Sequence, residues 1–207
     1  GTLDTLAMVV VSCLFAYVIG LPIGVAFNVT SPGGLRPHRI FNMVLGWVIN
    51  IGRSIPFIIL LVAIIPFTRI LVGTSLGVAG AVVPLVVAAA PFVARIVEQS
   101  LAEVDSSLIE AAQSFGASTW QVILKVMLKE SLPSLVRGAA ITFVTLFGYA
   151  AMAGTVGAGG LGDIAIRYGY QRWQSDVMLA AVLLCIVVVQ VFKTLGDQIA
   201  RRIDHKG

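Results

Sequence analysis

Charged residues are scarce in this sequence. Lysine, arginine, aspartate and glutamate make up 12% of the 207 residues, whereas 58% are hydrophobic. Soluble domains carry about 25% charged residues, so this composition excludes an ordinary water-soluble domain. Several long stretches contain no charge at all, which is typical of repeated membrane spans rather than of one anchor. The sequence therefore predicts a polytopic membrane protein.

Residues for catalysis and for nucleotide binding are also few. The P-loop pattern G-x-x-x-x-G-K-[ST] does not occur, so this chain is not expected to hold ATP or Mg²⁺. The only histidines are His38 and His205, and the apolar runs contain no clustered carboxylates. We therefore expect no metal site, no cofactor bound by this chain, no nucleic-acid partner and no catalytic activity, which disfavours an integral membrane enzyme.

Two features that resemble functional motifs are more simply structural. Cys13 and Cys185 lie inside apolar runs, which predicts unpaired core thiols. Residues 157–162 match the dinucleotide fingerprint G-x-G-x-x-G, but that fingerprint has meaning only after a strand in a βαβ unit. Here the glycines predict a flexible outer turn that leads to residues 167–170. No charged segment precedes the first apolar run, so no cleavable signal peptide is expected.

Uncharged runs predict five transmembrane helices. Residues 5–35, 70–94 and 138–162 each exceed the roughly 20 residues that a helix needs to cross the hydrocarbon core. Residues 40–68, interrupted only by Arg53, and residues 177–192 give two more. No repeat or linker divides the chain, so we predict an all-α, polytopic helix bundle with a single membrane domain over residues 1–207. The spans are placed at about 6–29, 46–67, 70–92, 138–160 and 176–196.

The distribution of basic residues predicts the orientation, because cytoplasmic loops collect lysine and arginine. With the N-terminus outside and the C-terminus in the cytoplasm, only Arg69, Arg167 and Arg172 face outward. Arg53 would lie in the second span near its inner end, where its side chain could snorkel to the headgroups. The cations expected on the inside are Arg36, Arg39, Arg95, Lys125, Lys129, Arg137, Lys193, Arg201, Arg202 and Lys206.

The long polar segment between spans three and four predicts two short helices joined at a glycine. Ser107 with Glu110 has the spacing of a capping box, and Gly116 would end that helix. Ser118 with Gln121 is a second capping box. Leu124, Leu128 and Leu132 then repeat at i, i+4, which predicts an amphipathic helix running to Pro133. Such a helix pair at the inner face of the membrane is a natural docking surface.

This segment resembles the cytoplasmic motif of the permeases of binding-protein-dependent ABC importers. The matching residues are Glu110-Ala111-Ala112, then Gly116 after three residues, then Val126-Met127-Leu128 after nine. The resemblance implies a coupling helix within residues 107–132 that docks on a separate ATPase subunit, with Glu110, Ala111, Ala112, Gly116 and Ala117 as coupling residues. The family motif ordinarily has proline where this chain has Lys129, so the docking element is confined to residues 107–126.

Almost the whole chain is similar to permeases of the methionine-uptake family. The similarity is carried by residues 53–61, 72–77, 90–95 and 148–172. It implies a permease of the bacterial cytoplasmic membrane that moves methionine by alternating access. It also implies a homodimer, two copies of an ATPase subunit that holds ATP and Mg²⁺, and an extracytoplasmic methionine-binding lipoprotein. The alternatives are a permease of the same class for another amino acid and, less favoured, an ion-coupled secondary carrier.

One face of the fourth span is a candidate lining for the translocation pathway. Gly148, Ala151, Met152 and Thr155 follow helical spacing, and small residues allow two copies to approach closely. Met152 and its symmetry mate could close the pathway, because a flexible thioether can plug a pore of small residues. An ordinary core methionine is the alternative. Arg53 is a further candidate for the pathway, because charge within a span is a hint of function.

Overall fold

Four long apolar segments form the four longest helices in the described part of the chain. The computed structural model describes residues 1–203, so His205 and Lys206 lie outside the described residues. Helices α1 (Thr2–Val29), α5 (Gly77–Ala102), α9 (Leu132–Ala153) and α11 (Ser175–Ile203) are joined by shorter elements. Each of the four, with α9 continued to Ala158, is long and apolar enough to cross a membrane.

The shorter helices lie between these long ones, and residues 1–203 contain no strand, so the predicted all-α fold is confirmed. A fifth crossing exists if a bent pair, α2 with α3, is counted as one span. The short α-helices are α2 (Arg39–Ser54), α3 (Phe57–Ala63), α4 (Ile65–Val72), α6 (Ser106–Ser114), α7 (Thr119–Gln121), α8 (Leu128–Glu130) and α10 (Gly160–Ile164). Two π-helical segments cover Val122–Met127 and Ala165–Tyr170. Gly154–Ala158 continues α9 into a turn in which Val156 and Gly157 are not helical.

Small residues on α1 allow it to pack closely against α5 at the centre of the bundle. A Cβ atom placed on Gly20 would lie 2.8 Å from the Cβ of Val93, and one on Gly24 would lie 2.6 Å from the Cβ of Val97. Ser12 and Ala16 continue the same row of small buried residues towards the N-terminus. Membrane helices gain packing energy from such close backbone approach, because burial of apolar surface from water does not drive their association inside the bilayer.

The second predicted span, residues 46–67, is not one continuous helix. Helix α2 ends at Ser54, α3 begins at Phe57, and their axes differ by 98°. The cause is Pro56, because a proline disfavours helical backbone at the residue before it, and Ile55 is extended with φ −80° and ψ 122°. The proline therefore breaks the span rather than merely kinking it.

The third predicted span, residues 70–92, is displaced towards the C-terminus. Helix α5 runs from Gly77 to Ala102 because Gly73 and Gly77 have left-handed φ angles of 77° and 68° and form a turn. At its other end α5 continues past Arg95, which forms an ion pair with Glu98 at 3.2 Å. The segment between α5 and α9, the second and third long helices, is thus shorter than the sequence predicted.

The fourth and fifth predicted spans correspond to longer helices. Helix α9 begins at Leu132 with Pro133 in its first turn, a position where a missing N–H is harmless. Pro133 therefore starts α9, whereas the sequence was expected to end a helix there. Helix α11 covers Ser175–Ile203, well beyond residue 196. The two cysteines are unpaired, as predicted.

Candidate functional site

The start of α6 is capped by a residue that the sequence motif did not identify. The Asp105 carboxylate accepts a hydrogen bond from the backbone N–H of Ser107 at 2.9 Å. Ser107 lies in the first turn of the helix, so the predicted capping box of Ser107 with Glu110 is wrong. The cause is local competition, because an aspartate two residues earlier supplies the acceptor. Glu110 is left exposed on the surface of α6.

The end of α6 is a Schellman motif centred on Gly116. Gly116 has a left-handed φ of 79°. Its N–H donates to the Gln113 carbonyl at 2.9 Å, and the Ala117 N–H donates to the Ala112 carbonyl at 3.1 Å. Ala112 and Ala117 are both half-buried against the core. The prediction that Gly116 ends the helix is confirmed, and the two alanines attach the turn to the bundle.

The turn after Gly116 is held by the second capping box, which the structure confirms. The Ser118 N–H donates to Gln121 Oε1 at 2.8 Å, and the Gln121 N–H donates to Ser118 Oγ at 3.4 Å. Together with the Schellman motif it fixes the angle between α6 and the segment that follows.

The segment after α7 does not present the predicted apolar face. Val122–Met127 is π-helical, and its buried residues are Val122, Ile123 and Met127. Leu128 is half-buried and packs against the core, but Leu124 is 56% exposed and Leu132 is 42% exposed, so two of the three leucines in the i, i+4 row do not face the core. A π-helix has a wider turn than an α-helix, which changes which residues share a face.

The outer surface of α6 offers a flat polar strip beside one large aromatic ring. Phe115, the C-cap residue, is 91% exposed. Glu110 and Ala111 are also exposed, whereas Ala112 and Ala117 face the bundle. Phenylalanine is among the residues enriched at protein interfaces, so this exposed ring is available to a partner. Phe115 was missed in the sequence because the motif fixes its neighbours and not this position.

A second candidate region is a cleft at the break between α2 and α3. It is a cavity of about 130 Å³, and Phe57 and Tyr149 stack across it with ring centroids 4.6 Å apart and 3° between their planes. Arg53 is the only charged residue among the described residues that line it. The lining is Gly52, Arg53, Ile55, Phe57, Ala88, Phe92 and Tyr149.

Arg53 is exposed in the last turn of α2, at the opposite end of that helix from the basic residues Arg36 and Arg39. Its cleft is also lined by Ala88 and Phe92, which are at the middle of α5. The break at Pro56 ends α2 beside this cleft. The expectation that Arg53 lies near the inner end of its span stays a prediction.

The predicted face of α9 lies beside this cleft. Gly148, Met152 and Thr155 are exposed, and a Cβ atom on Gly148 would meet no atom within 4 Å. Thr155 Oγ1 donates to the Met152 carbonyl at 2.7 Å. Tyr149, next to Gly148 in the chain, lines the Arg53 cleft, whereas Gly148, Met152 and Thr155 are not among its lining residues. Ala151 instead contacts Gly162 in α10.

The glycine run after α9 is tied to the first helix. Gly157, Gly159 and Gly160 have φ angles of 92°, 79° and 80°, which a turn of this shape requires. The Leu161 N–H donates to Thr5 Oγ1 at 2.8 Å. The hydroxyl of Thr5 thus occupies the N-terminal end of α10.

Relatives with curated descriptions match nearly the whole chain. A protein of Vibrio cholerae described as a probable D-methionine transport system permease, MetI, is 49% identical over 206 residues, covering 100% of this chain and 92% of the relative. A protein of Pasteurella multocida with the same description is also 49% identical, covering 100% and 95%. The D-methionine transport system permease MetI of Escherichia coli K12 is 53% identical over 154 residues, covering 74% and 71%.

Solved structures and a family model give the same result. A chain from inward-facing conformations of the MetNI methionine ABC transporter has a TM-score of 0.98 and 49% identity, covering 99% of this chain and 95% of that one. A chain of an amino acid ABC transporter has a TM-score of 0.79 at 19% identity, covering 98% and 92%, which shows the fold alone. The family model for binding-protein-dependent transport system inner membrane components matches residues 6–206. The chain therefore belongs to the family of binding-protein-dependent transport system inner membrane components, the multi-pass permeases of bacterial ABC importers.

Proposed function

We propose that the chain is the permease subunit of an ATP-driven importer of methionine. Two copies of the chain form the translocation pathway, and two copies of a separate ATPase subunit hold ATP and Mg²⁺. An extracytoplasmic methionine-binding lipoprotein delivers the cargo. The names of the relatives from Vibrio cholerae and Pasteurella multocida support methionine as the cargo. The lack of a P-loop in this sequence supports a separate ATPase.

The observation that carries the proposal is the shape of the α6 to α7 unit. Two capped turns fix its geometry, and Ala112 and Ala117 attach it to the bundle. Its outer surface then presents Glu110, Ala111 and Phe115 to a partner. A rigid element of this kind transmits the closure of an ATPase dimer to the membrane helices, because it moves as one body with the chain that follows it. Gly116 contributes by holding the turn.

The orientation follows from the position of this unit. If α6 docks on an ATPase, it lies in the cytoplasm, and the N-terminus of α1 lies outside. Arg36 and Arg39 are then on the same side as α6, as the excess of cytoplasmic cations requires. We extend the proposal to one permease domain over residues 1–207.

The pathway is assigned to the exposed face of α9 and the adjoining Arg53 cleft. In a homodimer this face meets its own copy at the two-fold axis. Gly148 and Thr155 leave room there, and Met152 fills it, which makes Met152 the gate in one conformation. Arg53 faces a wet pathway, because a charge at this depth is stable only in contact with water or a partner.

A permease of the same class for another amino acid is the second candidate. The fold is shared with the amino acid transporter chain at a TM-score of 0.79, so it does not select the cargo. An ion-coupled carrier is less favoured, since Arg53 is the only charged residue in the described lining of the cleft.

The deciding experiment is reconstitution of the complete transporter. Co-expression with the ATPase subunit should yield a stable four-chain complex, and methionine with its binding protein should stimulate ATP hydrolysis and uptake into vesicles. L-methionine, D-methionine and a panel of other amino acids should be compared. If only another amino acid stimulated ATP hydrolysis and uptake, that amino acid and not methionine would be the cargo. Uptake that survives loss of the ATPase would contradict the whole proposal.

A further inference from the structure

An apolar groove runs between the end of α1 and the π-helical segment after α7. Its volume is about 300 Å³, and it shares only Thr119 and Trp120 with the α6 to α7 unit described above. One wall is the α1 face formed by residues 21–29, and the other wall comes from residues 119–128. Arg36 is the only charged residue among the described lining residues, which are Leu21, Pro22, Val25, Ala26, Val29, Arg36, Thr119, Trp120, Ile123, Leu124 and Leu128.

The groove lies at the boundary between hydrocarbon and headgroups. Helix α1 has 28 residues and is therefore about 42 Å long. The hydrocarbon core of a bilayer is about 30 Å thick, so the last few residues of α1 extend into the headgroup region. Leu21 and Val25 then lie at acyl-chain depth, and Val29 lies at headgroup depth.

Arg36 stands at the headgroup end of this groove. Its backbone N–H donates to the Val29 carbonyl at 3.0 Å, which fixes the residue beside the end of α1. Its side chain is exposed, and within residues 1–203 it forms no ion pair. It also lines a second, shallow opening of about 420 Å³ with Thr30, Pro37, His38 and Phe41. The guanidinium is thus available to an anion from two sides.

Trp120 lines the groove and is 69% exposed. Tryptophan prefers the interface level, where its ring is in contact with chains and its N–H with headgroups. An arginine suits phosphate because its planar fork can donate two hydrogen bonds at once.

We propose that this groove binds an anionic phospholipid of the leaflet next to α6, with an acyl chain in the apolar part and the phosphate on Arg36. The cationic side chain of Arg36 at one end of the groove complements the phosphate of such a lipid, and the apolar lining along the rest complements its acyl chain. Inorganic phosphate would leave the apolar part unfilled. The inference depends on the membrane family and not on the cargo, so its failure would leave methionine import untouched.

Quenching of Trp120 fluorescence provides the test. The chain has three tryptophans, so the double variant Trp47→Phe, Trp173→Phe reports from Trp120 alone. The protein, alone and assembled with its ATPase, is placed in phosphatidylcholine vesicles, which avoid the tryptophans of a nanodisc scaffold. The emission of the ATPase is subtracted with a matched sample whose permease carries Trp120→Phe as well. Phosphatidylglycerol brominated on its acyl chains is compared with phosphatidylcholine brominated in the same way. We expect about fivefold stronger apparent binding of the brominated phosphatidylglycerol, the factor for one basic residue at an anionic membrane surface.

Two arginine variants distinguish a specific lipid site at Arg36 from nonspecific electrostatic attraction between basic residues and anionic lipid. Arg36→Gln should remove the preference for phosphatidylglycerol, whereas Arg39→Gln, a neighbouring exposed arginine outside the groove, should leave it intact. Ala26→Phe should fill the groove and weaken quenching by both lipids. Equal quenching by the two lipids, or equal effects of the two arginine variants, would overturn the proposal. So would protection of Trp120 from both lipids in the assembled transporter, because a protein partner would then cover the groove.

Discussion

Glu110 makes no capping contact in the structure, and that makes it a clean probe of docking. Because Asp105 supplies the cap, Glu110→Ala should change the free energy of unfolding by less than about 0.5 kcal/mol, as is usual for surface substitutions. We expect the same variant to reduce the ratio of transport to ATP hydrolysis. Thermal melting of the purified protein and transport in vesicles measure the two effects.

Asp105→Ala is the matched comparison for Glu110→Ala. Loss of the cap should destabilise α6 by about 1 kcal/mol. If Glu110→Ala lowered the melting temperature as much as Asp105→Ala does, the assignment of the cap would be wrong, and the docking role of Glu110 could no longer be separated from stability.

Phe115 is expected to anchor the ATPase. Its ring is 91% exposed, so Phe115→Ala should hardly change folding of the permease alone. Truncation of a central aromatic anchor costs about 2 kcal/mol or more at an interface, which is about thirtyfold in the dissociation constant. Titration of the ATPase onto permease nanodiscs measures this. Ser114→Ala, an exposed neighbour, should have little effect; an equal loss in both variants would exclude a special role for the ring.

At the scale of elements, the contact between α1 and α5 depends on Gly20 and Gly24. Gly24→Val should place methyl groups where Val97 now lies, and overpacking of this kind costs about 1–3 kcal/mol. We expect a lower melting temperature and lower yield in the membrane. Gly148→Val is a suitable control for the melting temperature of the isolated chain, because Gly148 also lies inside a long helix and a Cβ atom there meets nothing within 4 Å. Equal stability of Gly24→Val and the parent protein would contradict the packing described here.

The elements also show which parts of the structure the sequence could predict. Runs without charge located all four long helices, and Gly116 and the capping box at Ser118 were predicted from local pattern because their hydrogen bonds are local. Residues 46–67 were predicted as one span, whereas the helix breaks at Ile55 and Pro56. Beside the break Gly52 packs closely against Pro91, a contact between residues far apart in the chain that no local pattern predicts.

The two candidate sites also differ in how far the sequence predicted them. The proposed coupling residues come from one short motif in the sequence, whereas the aromatic walls of the Arg53 cleft come from three different helices. No periodicity predicts that Phe57 stacks on Tyr149. The apolar face predicted for Val122–Met127 was wrong because its residues were chosen with the spacing of an α-helix. Nothing in the local sequence indicates a π-helix there.

At the scale of the whole molecule, Met152 should act only in the assembled transporter. Met152→Ala should leave the melting temperature of the isolated chain nearly unchanged, because the side chain is 47% exposed. If it closes the pathway in one state, the variant should leak substrate or hydrolyse ATP without proportionate transport. Flux measured in vesicles with and without ATP checks this. Met152→Leu, which keeps the volume, should retain the parent behaviour. Unchanged flux and unchanged ATPase activity in Met152→Ala would exclude the gate.

The 98° bend between α2 and α3 also has a consequence for how the chain enters the bilayer. Helix α2 has 16 residues and is about 24 Å long, so it cannot cross a hydrocarbon core of about 30 Å by itself. The opened backbone at Ile55 and the charge of Arg53 need protein or water around them, and α5, which supplies that cover, is synthesised later. Insertion therefore cannot proceed strictly helix by helix. The nascent α2 to α4 segment must wait at the translocon until α5 emerges, and the slowest step of biogenesis is expected there.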